Sequence, residues 1–155
     1  MRILFACLLL VLLIATTPSK ATKGSKQNKK NAEPQPEEKS KCLYELFIIQ
    51  HIIHRMTEDE CDNVIENRGI LFKEECKEMN TFILSDVKTV KSICKDRTDG
   101  DIISESLFEI IDCELKSKTE KKPPCKYNGK RQFKKRIEVS CEGGYPVHYK
   151  RALKE

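Results

Sequence analysis

The chain opens on an uninterrupted apolar run, Ile3 to Ala15, and no later stretch repeats it. Met1-Arg2 before the run and the small-x-small triplet Ser19-Lys20-Ala21 after it mark residues 1–21 as a secretory signal peptide. The run is well short of the roughly 20 apolar residues a membrane-crossing helix needs, so no transmembrane segment is expected. Residues 22–41 have no apolar side chain larger than Ala32, which predicts a disordered tail that cannot bury a core. From Cys42 the apolar positions recur at helical spacing. Leu43, Phe47, Gln50, His51 and His54 predict a helix over 43–55. Thr57 with Glu60 forms a capping box for a second helix, marked by Cys61, Val64, Ile65 and Arg68 and stopped by Gly69. Ser85 reads as the N-cap of a third, with Val87, Val90 and Ile93 on its apolar face.

After Ser104 the period changes. Leu107 to Ile111, the alternation Ile137, Val139, Cys141, and the pair Val147, Tyr149 predict strands. Asp99-Gly100, Asn128-Gly129 and Gly143-Gly144 are expected turns, and Pro123-Pro124 excludes helix around it. Helices first and strands later predict an α+β domain over residues 42–155, with three N-terminal helices packed on one antiparallel sheet.

Charge sharpens this picture by segment. The tail carries six Lys and three Glu. Residues 42–112 hold 8 basic and 16 acidic groups, whereas residues 113–155 hold 13 basic and 5 acidic. The C-terminal half therefore offers a face for a polyanion, or simply a solvated surface, and charge alone does not separate the two. Lys130, Arg131, Lys134, Lys135 and Arg136 surround one aromatic, Phe133. Such a cluster suits RNA, heparin-like polymers or anionic microbial surfaces.

Eight cysteines become seven if Cys7 leaves with the signal peptide. In a short secreted chain these read as a disulfide framework, with three bridges and Cys42, at the tail's edge, as the spare thiol. No CxxC or CxxH spacing is present. His54 shares a helix face with His51, but no third ligand is in view, so no metal site and no cofactor are expected.

Three segments carry candidate chemistry: Phe47-Ile48-Ile49-Gln50-His51, Cys76-Lys77-Glu78-Met79-Asn80-Thr81-Phe82, and Pro146-Val147-His148-Tyr149. Singly, each histidine is more often packed or solvated than catalytic. In this order the three resemble the pancreatic-type ribonuclease family, whose members carry Phe-x-x-Gln-His, Cys-Lys-x-x-Asn-Thr-Phe and Pro-Val-His segments. The likeness covers residues 43–149, and the six cysteines from Cys61 to Cys141 follow the order of members with three bridges, such as angiogenin.

That resemblance implies a secreted RNA endonuclease with a curved, disulfide-stapled sheet, cleaving 3′ of pyrimidines through a 2′,3′-cyclic phosphate. It implies bridges Cys61 to Cys113, Cys76 to Cys125 and Cys94 to Cys141, a choice that spacing leaves open among about 15 pairings. It implies His51 as base, His148 as acid and Lys77 as stabiliser of the transition state. Gln50 would contact the phosphate, Asn80 and Thr81 would serve the substrate site, and Glu142 would lie near the downstream base. These residue types suit metal-free cleavage of RNA, because histidine is the side chain that titrates near neutrality, and a fixed cation must meet the charge gathering on phosphorus.

The chain also departs from the family. Lys150 stands where many members have an aspartate beside the acid histidine, and a cation there would tilt His148 toward its neutral form. Glu66-Asn67-Arg68-Gly69 lacks the arginine cluster of angiogenin-like members. The alternative to an enzyme is a cationic host-defence or signalling protein on the same scaffold. Finally, Ile48, Ile49 and Ile53 fall where the first helix should meet water. With Cys42 at that helix's start, they suggest a surface that pairs two chains, by a Cys42 bridge or by helix exchange.

Overall fold

The computed structural model describes residues 35–117, 119 and 121–153; the expected signal peptide and the tail up to residue 34 lie outside them. Helix α1 spans Pro36–His51, so it starts inside the stretch expected to be disordered and ends four residues before Arg55. Pro36 presets the backbone at the first helical position, and Glu37 and Glu38 lie in the first turn, where the helix dipole favours anions. No apolar period announces that polar start. The buried stripe is Ser40, Tyr44, Phe47 and His51, not the stripe through Leu43 and His54, and His54 is exposed beyond the helix. The end is set by Arg68, whose guanidinium donates to the carbonyls of Ile49 (2.9 Å) and Ile52 (2.8 Å).

The chain then makes β1 (Ile52–Ile53), a 3-10 turn (Glu58–Glu60) and α2 (Cys61–Asn67). The Thr57/Glu60 capping box forms as the sequence predicts. A short hairpin, β2 (Leu71–Phe72) and β3 (Glu75–Cys76), precedes β4 (Met79–Leu84) and α3 (Val87–Lys91). The cap of α3 is Asp86, whose carboxylate accepts from the Thr89 N–H at 2.8 Å; the expected cap, Ser85, instead bonds its N–H to Ile53 O. The remaining strands are β5 (Gly100–Ile103), β6 (Phe108–Leu115), β7 (Tyr127–Lys135), β8 (Ile137–Glu142) and β9 (Tyr145–Ala152).

These strands form two main sheets rather than one, in the orders β1-β4-β6-β7 and β5-β8-β9, and β1 runs parallel to β4. The helices do not all precede the strands, because α3 follows β4. Asn128-Gly129 is no turn: it lies inside β7. A Cβ on Gly129 would stand 2.1 Å from the Glu58 carbonyl oxygen, so glycine there lets a strand pass against the 3-10 turn. Gly143 and Gly144 do turn the chain, both at positive φ.

Two apolar clusters form the core, and β4 and β6 supply both because neighbouring residues point to opposite faces. Ile83 and Ile110 join Phe47, Val90 and Val139 in one, while Phe82 and Ile111 join Ile65, Leu115 and Tyr127 in the other. The three bridges Cys61–Cys113, Cys76–Cys125 and Cys94–Cys141 are formed, with Cα separations of 5.8, 5.6 and 5.6 Å.

In the full chain Cys42 is not a free thiol. It too is disulfide-bonded, to none of those six, and no described cysteine is free. The odd count rested on removing Cys7, and the full chain has an even number. Ile48 packs against the first cluster and Ile53 against the second, and Ile49 is half-buried. Neither a free described thiol nor an exposed isoleucine among these three supports pairing of two chains.

Candidate active site

The C-terminal turn of α1 is tied to β4 by two hydrogen bonds. The Asn80 side-chain amide donates to the Gln50 carbonyl at 2.9 Å, and His51 Nδ1 lies 2.9 Å from the Thr81 carbonyl. A carbonyl can only accept, so Nδ1 carries the proton and the neutral ring keeps its lone pair on Nε2. The ring touches Phe47 and Tyr149, at centroid distances of 5.2 and 5.3 Å, and is 6% exposed. Burial pulls the His51 pKa down to about 4; the Thr81 carbonyl works against this, and the charges of Lys77 and His148 add to it.

Lys77 follows the bridged Cys76, and its ammonium donates to Asn80 Oδ1 at 3.0 Å. Its backbone is held as well, because the Tyr127 hydroxyl donates to the Lys77 carbonyl at 2.9 Å. Burial lowers the Lys77 pKa. Asn80, 1% exposed, thus links the cation on one side to the helix carrying His51 on the other. A buried amide used at both ends makes this part of the site rigid.

His148 lies on β9 and is exposed. Partial burial lowers its pKa, the ammonium groups of Lys150 and Lys77 lower it further, and Asp101 opposes them. His51, Lys77 and His148 line one cleft of about 450 Å³, together with Gln50 and Thr81. Asn80 is buried behind its wall. Glu142 is not brought in: it pairs with Tyr145 at the β8–β9 turn, outside the lining.

The cleft also holds residues that local patterns did not single out. Asp112 is the cross-strand partner of Thr81, and its carboxylate accepts from the Thr81 hydroxyl at 2.6 Å and from the Gln132 amide. Tyr149 faces the same space, its pKa pushed up to about 12 by burial and by Asp112, with Thr81 opposing. One local signal existed: Asp112 is a charged residue set between buried Ile111 and Cys113 in a strand-like run. Among the described residues no group of three or more His, Cys, Asp or Glu is placed to hold a metal ion.

A neutral imidazole, a second imidazole and a fixed ammonium around one open cleft suit proton transfer at a phosphate. Comparison with known proteins agrees. The sequence profile of pancreatic ribonucleases matches residues 42–150. The chain belongs to the pancreatic ribonuclease family. It is 38% identical over 119 residues to Ribonuclease-like 3 of Danio rerio, covering 71% of this chain and 78% of that protein. It is 36% identical over 111 residues to Angiogenin-1 of Bos taurus, covering 66% and 72%. The crystal structure of green turtle egg white ribonuclease superposes with a TM-score of 0.63 at 31% identity, covering 72% of this chain and 98% of that one. The family is one of endoribonucleases, and the α+β fold with three bridges is the ribonuclease fold.

Proposed function

We propose that the protein is a secreted ribonuclease that cleaves RNA on the 3′ side of pyrimidines by transphosphorylation. The observation that carries the reading is the meeting of His51, Lys77 and His148 in one cleft, with the His51 lone pair on Nε2. His51 Nε2 takes the proton of the ribose 2′-hydroxyl, and the 2′-oxygen attacks phosphorus. The bond to the 5′-oxygen breaks as His148 gives that oxygen a proton, leaving a 2′,3′-cyclic phosphate. Lys77 stabilises the charge that builds on the non-bridging oxygens. Gln50 contacts the phosphate, and the Thr81 hydroxyl and backbone N–H read the pyrimidine. Glu142, at the far end of β8, does not line the cleft, so this reading gives it no contact with the reacting phosphate.

The test is digestion of uridylyladenosine beside adenylyladenosine, with products separated by chromatography. The reading expects uridine 2′,3′-cyclic phosphate from the first and little reaction with the second. Equal cleavage of both, or a product with no cyclic intermediate, would refute it.

A second reading, a cationic host-defence or angiogenin-like binding protein with weak catalysis, has one observation in its favour. Lys130, Lys134 and Arg136 are exposed around Phe133, itself 63% exposed, where edge strand β7 runs into β8. Salt-dependent retention on heparin, lost on Lys130→Gln with Lys134→Gln while RNA cleavage persists, would support it.

A further inference from the structure

Lys150 stands two residues from His148 on a strand that ends in a run of cations, and it lines the cleft. Left alone, its ammonium would oppose every proton that His148 must hold. It is not left alone. Its Nζ lies 3.2 Å from Asp101 Oδ2, and Asp101 Oδ1 accepts from the Ser140 hydroxyl at 2.6 Å.

The strand register explains why these groups meet. Asp101 on β5 is the cross-strand partner of Ser140 on β8, and Ser140 is the partner of His148 on β9. Three side chains from three strands therefore lie in one row across the sheet, with the carboxylate at one end, the imidazole at the other and the Ser140 hydroxyl between. A row of directly paired residues shares one face, so the Asp101 carboxylate and the His148 ring lie on the same side. Lys150 is the unpaired residue of a bulge in β9, where the register slips between Glu138 and Val139, and the ion pair holds it toward Asp101.

We propose that Asp101 is the positioning residue for His148: fixed by Ser140, it holds the Lys150 ammonium and supplies the counter-charge beside the acid imidazole. This rests on the ribonuclease reading of the cleft. The other charged groups around His148 are accounted for. Lys77 is held by Asn80 across the cleft, and His51 is neutral over most of the pH range. Arg151 on the same strand is paired with Glu138 of β8, Lys91 of α3 sits over the Tyr145 ring, and Glu142 lies at the turn. Asp101 is the carboxylate that meets Lys150 directly. Its influence on His148 is in the direction the row requires, raising the pKa against the lowering by Lys150.

Both members of the pair are about half exposed, so the effect is modest, as for other solvent-facing pairs. The experiment follows His148 by proton NMR titration in the disulfide-bonded protein, and measures kcat/KM on uridylyladenosine against pH, for wild type, Asp101→Asn, Asp101→Glu, Lys150→Gln and Asp101→Asn/Lys150→Gln. In Asp101→Asn the His148 midpoint falls by about 0.5 pH, and kcat/KM drops about 3-fold above the basic limb while holding below it. Lys150→Gln moves both the other way, the double variant returns toward wild type, and Asp101→Glu restores most of the effect. An unchanged His148 midpoint in Asp101→Asn, or an equal loss of kcat/KM at every pH, overturns the proposal. If no variant and no wild type cleaves RNA, the ribonuclease reading fails, yet the titration still decides whether Asp101 acts on His148.

Discussion

The two histidines of the cleft sit in unlike surroundings. His51 is packed against Phe47 and Tyr149 and bonded through Nδ1 to a strand carbonyl; His148 stands exposed on β9, within a set of surface charges. The first environment fixes one tautomer and rejects the proton, which is what a base needs before it acts. The second leaves the ring open to solvent and tuned by neighbours, which suits an acid that must be reloaded. On the proposed mechanism, one scaffold separates base from acid by burial rather than by residue type.

Alanine variants give the largest test of that contrast. His51→Ala and His148→Ala should each lower kcat/KM on uridylyladenosine by about 10²–10⁴-fold. Only His51→Ala should also destabilise the fold measurably, because it empties a buried site and leaves the Thr81 carbonyl unpaired. Equal shifts in Tm for the two variants would break the comparison. Lys77→Ala should cost about 10²–10³-fold in kcat with little change in Tm. Asn80→Ala removes the amide that links Lys77 to α1, so it should lower both activity and stability, the latter by about 1–3 kcal/mol.

Acid stability comes next. The unfolded chain takes a proton on this histidine at an ordinary pKa near 6.5, while the folded one resists until about 4. The unfolded state therefore binds more protons between those values, and stability present above pH 6.5 is lost as pH falls. His51 accounts for about 3 kcal/mol of that loss. Denaturant unfolding at pH 7 and pH 4 should show a smaller drop for His51→Asn than for wild type; an equal drop contradicts the buried, neutral assignment.

The smallest effect concerns the base. A carboxylate can only accept, so the Thr81 hydroxyl proton is committed to Asp112 and its oxygen offers a lone pair to the substrate. Uracil, with a donor at N3, fits better than cytosine, which has an acceptor there. Asp112→Asn should narrow the ratio of kcat/KM for uridylyladenosine over cytidylyladenosine a few-fold, and an unchanged ratio would remove Asp112 from specificity.

What the sequence made legible was local. The Thr57/Glu60 capping box, the stop at Gly69, the alternation through β8 and the Gly143-Gly144 turn depend on neighbours in the chain, and they stand where the pattern put them. The bridges and the three cleft segments came through resemblance to a family, not through periodicity. What escaped was set across strands. Asp112 meets Thr81 and Gln132, and Asp101 meets Lys150, because of sheet register between distant segments. Strand β7 was hidden by its basic residues and by Asn128-Gly129, which imitates a turn, while α1 begins in a polar stretch with no apolar period to announce it.

The most direct test of the division between base and acid is the pH dependence of kcat/KM on uridylyladenosine for wild type and His148→Ala side by side. Wild type should give a bell whose rising limb lies near pH 4, where His51 loses its proton, and whose falling limb follows His148. In the variant, the residual activity should keep the rising limb in place and lose the falling one. A variant that retains the falling limb, or a wild type whose rising limb does not track the His51 titration, would contradict the account.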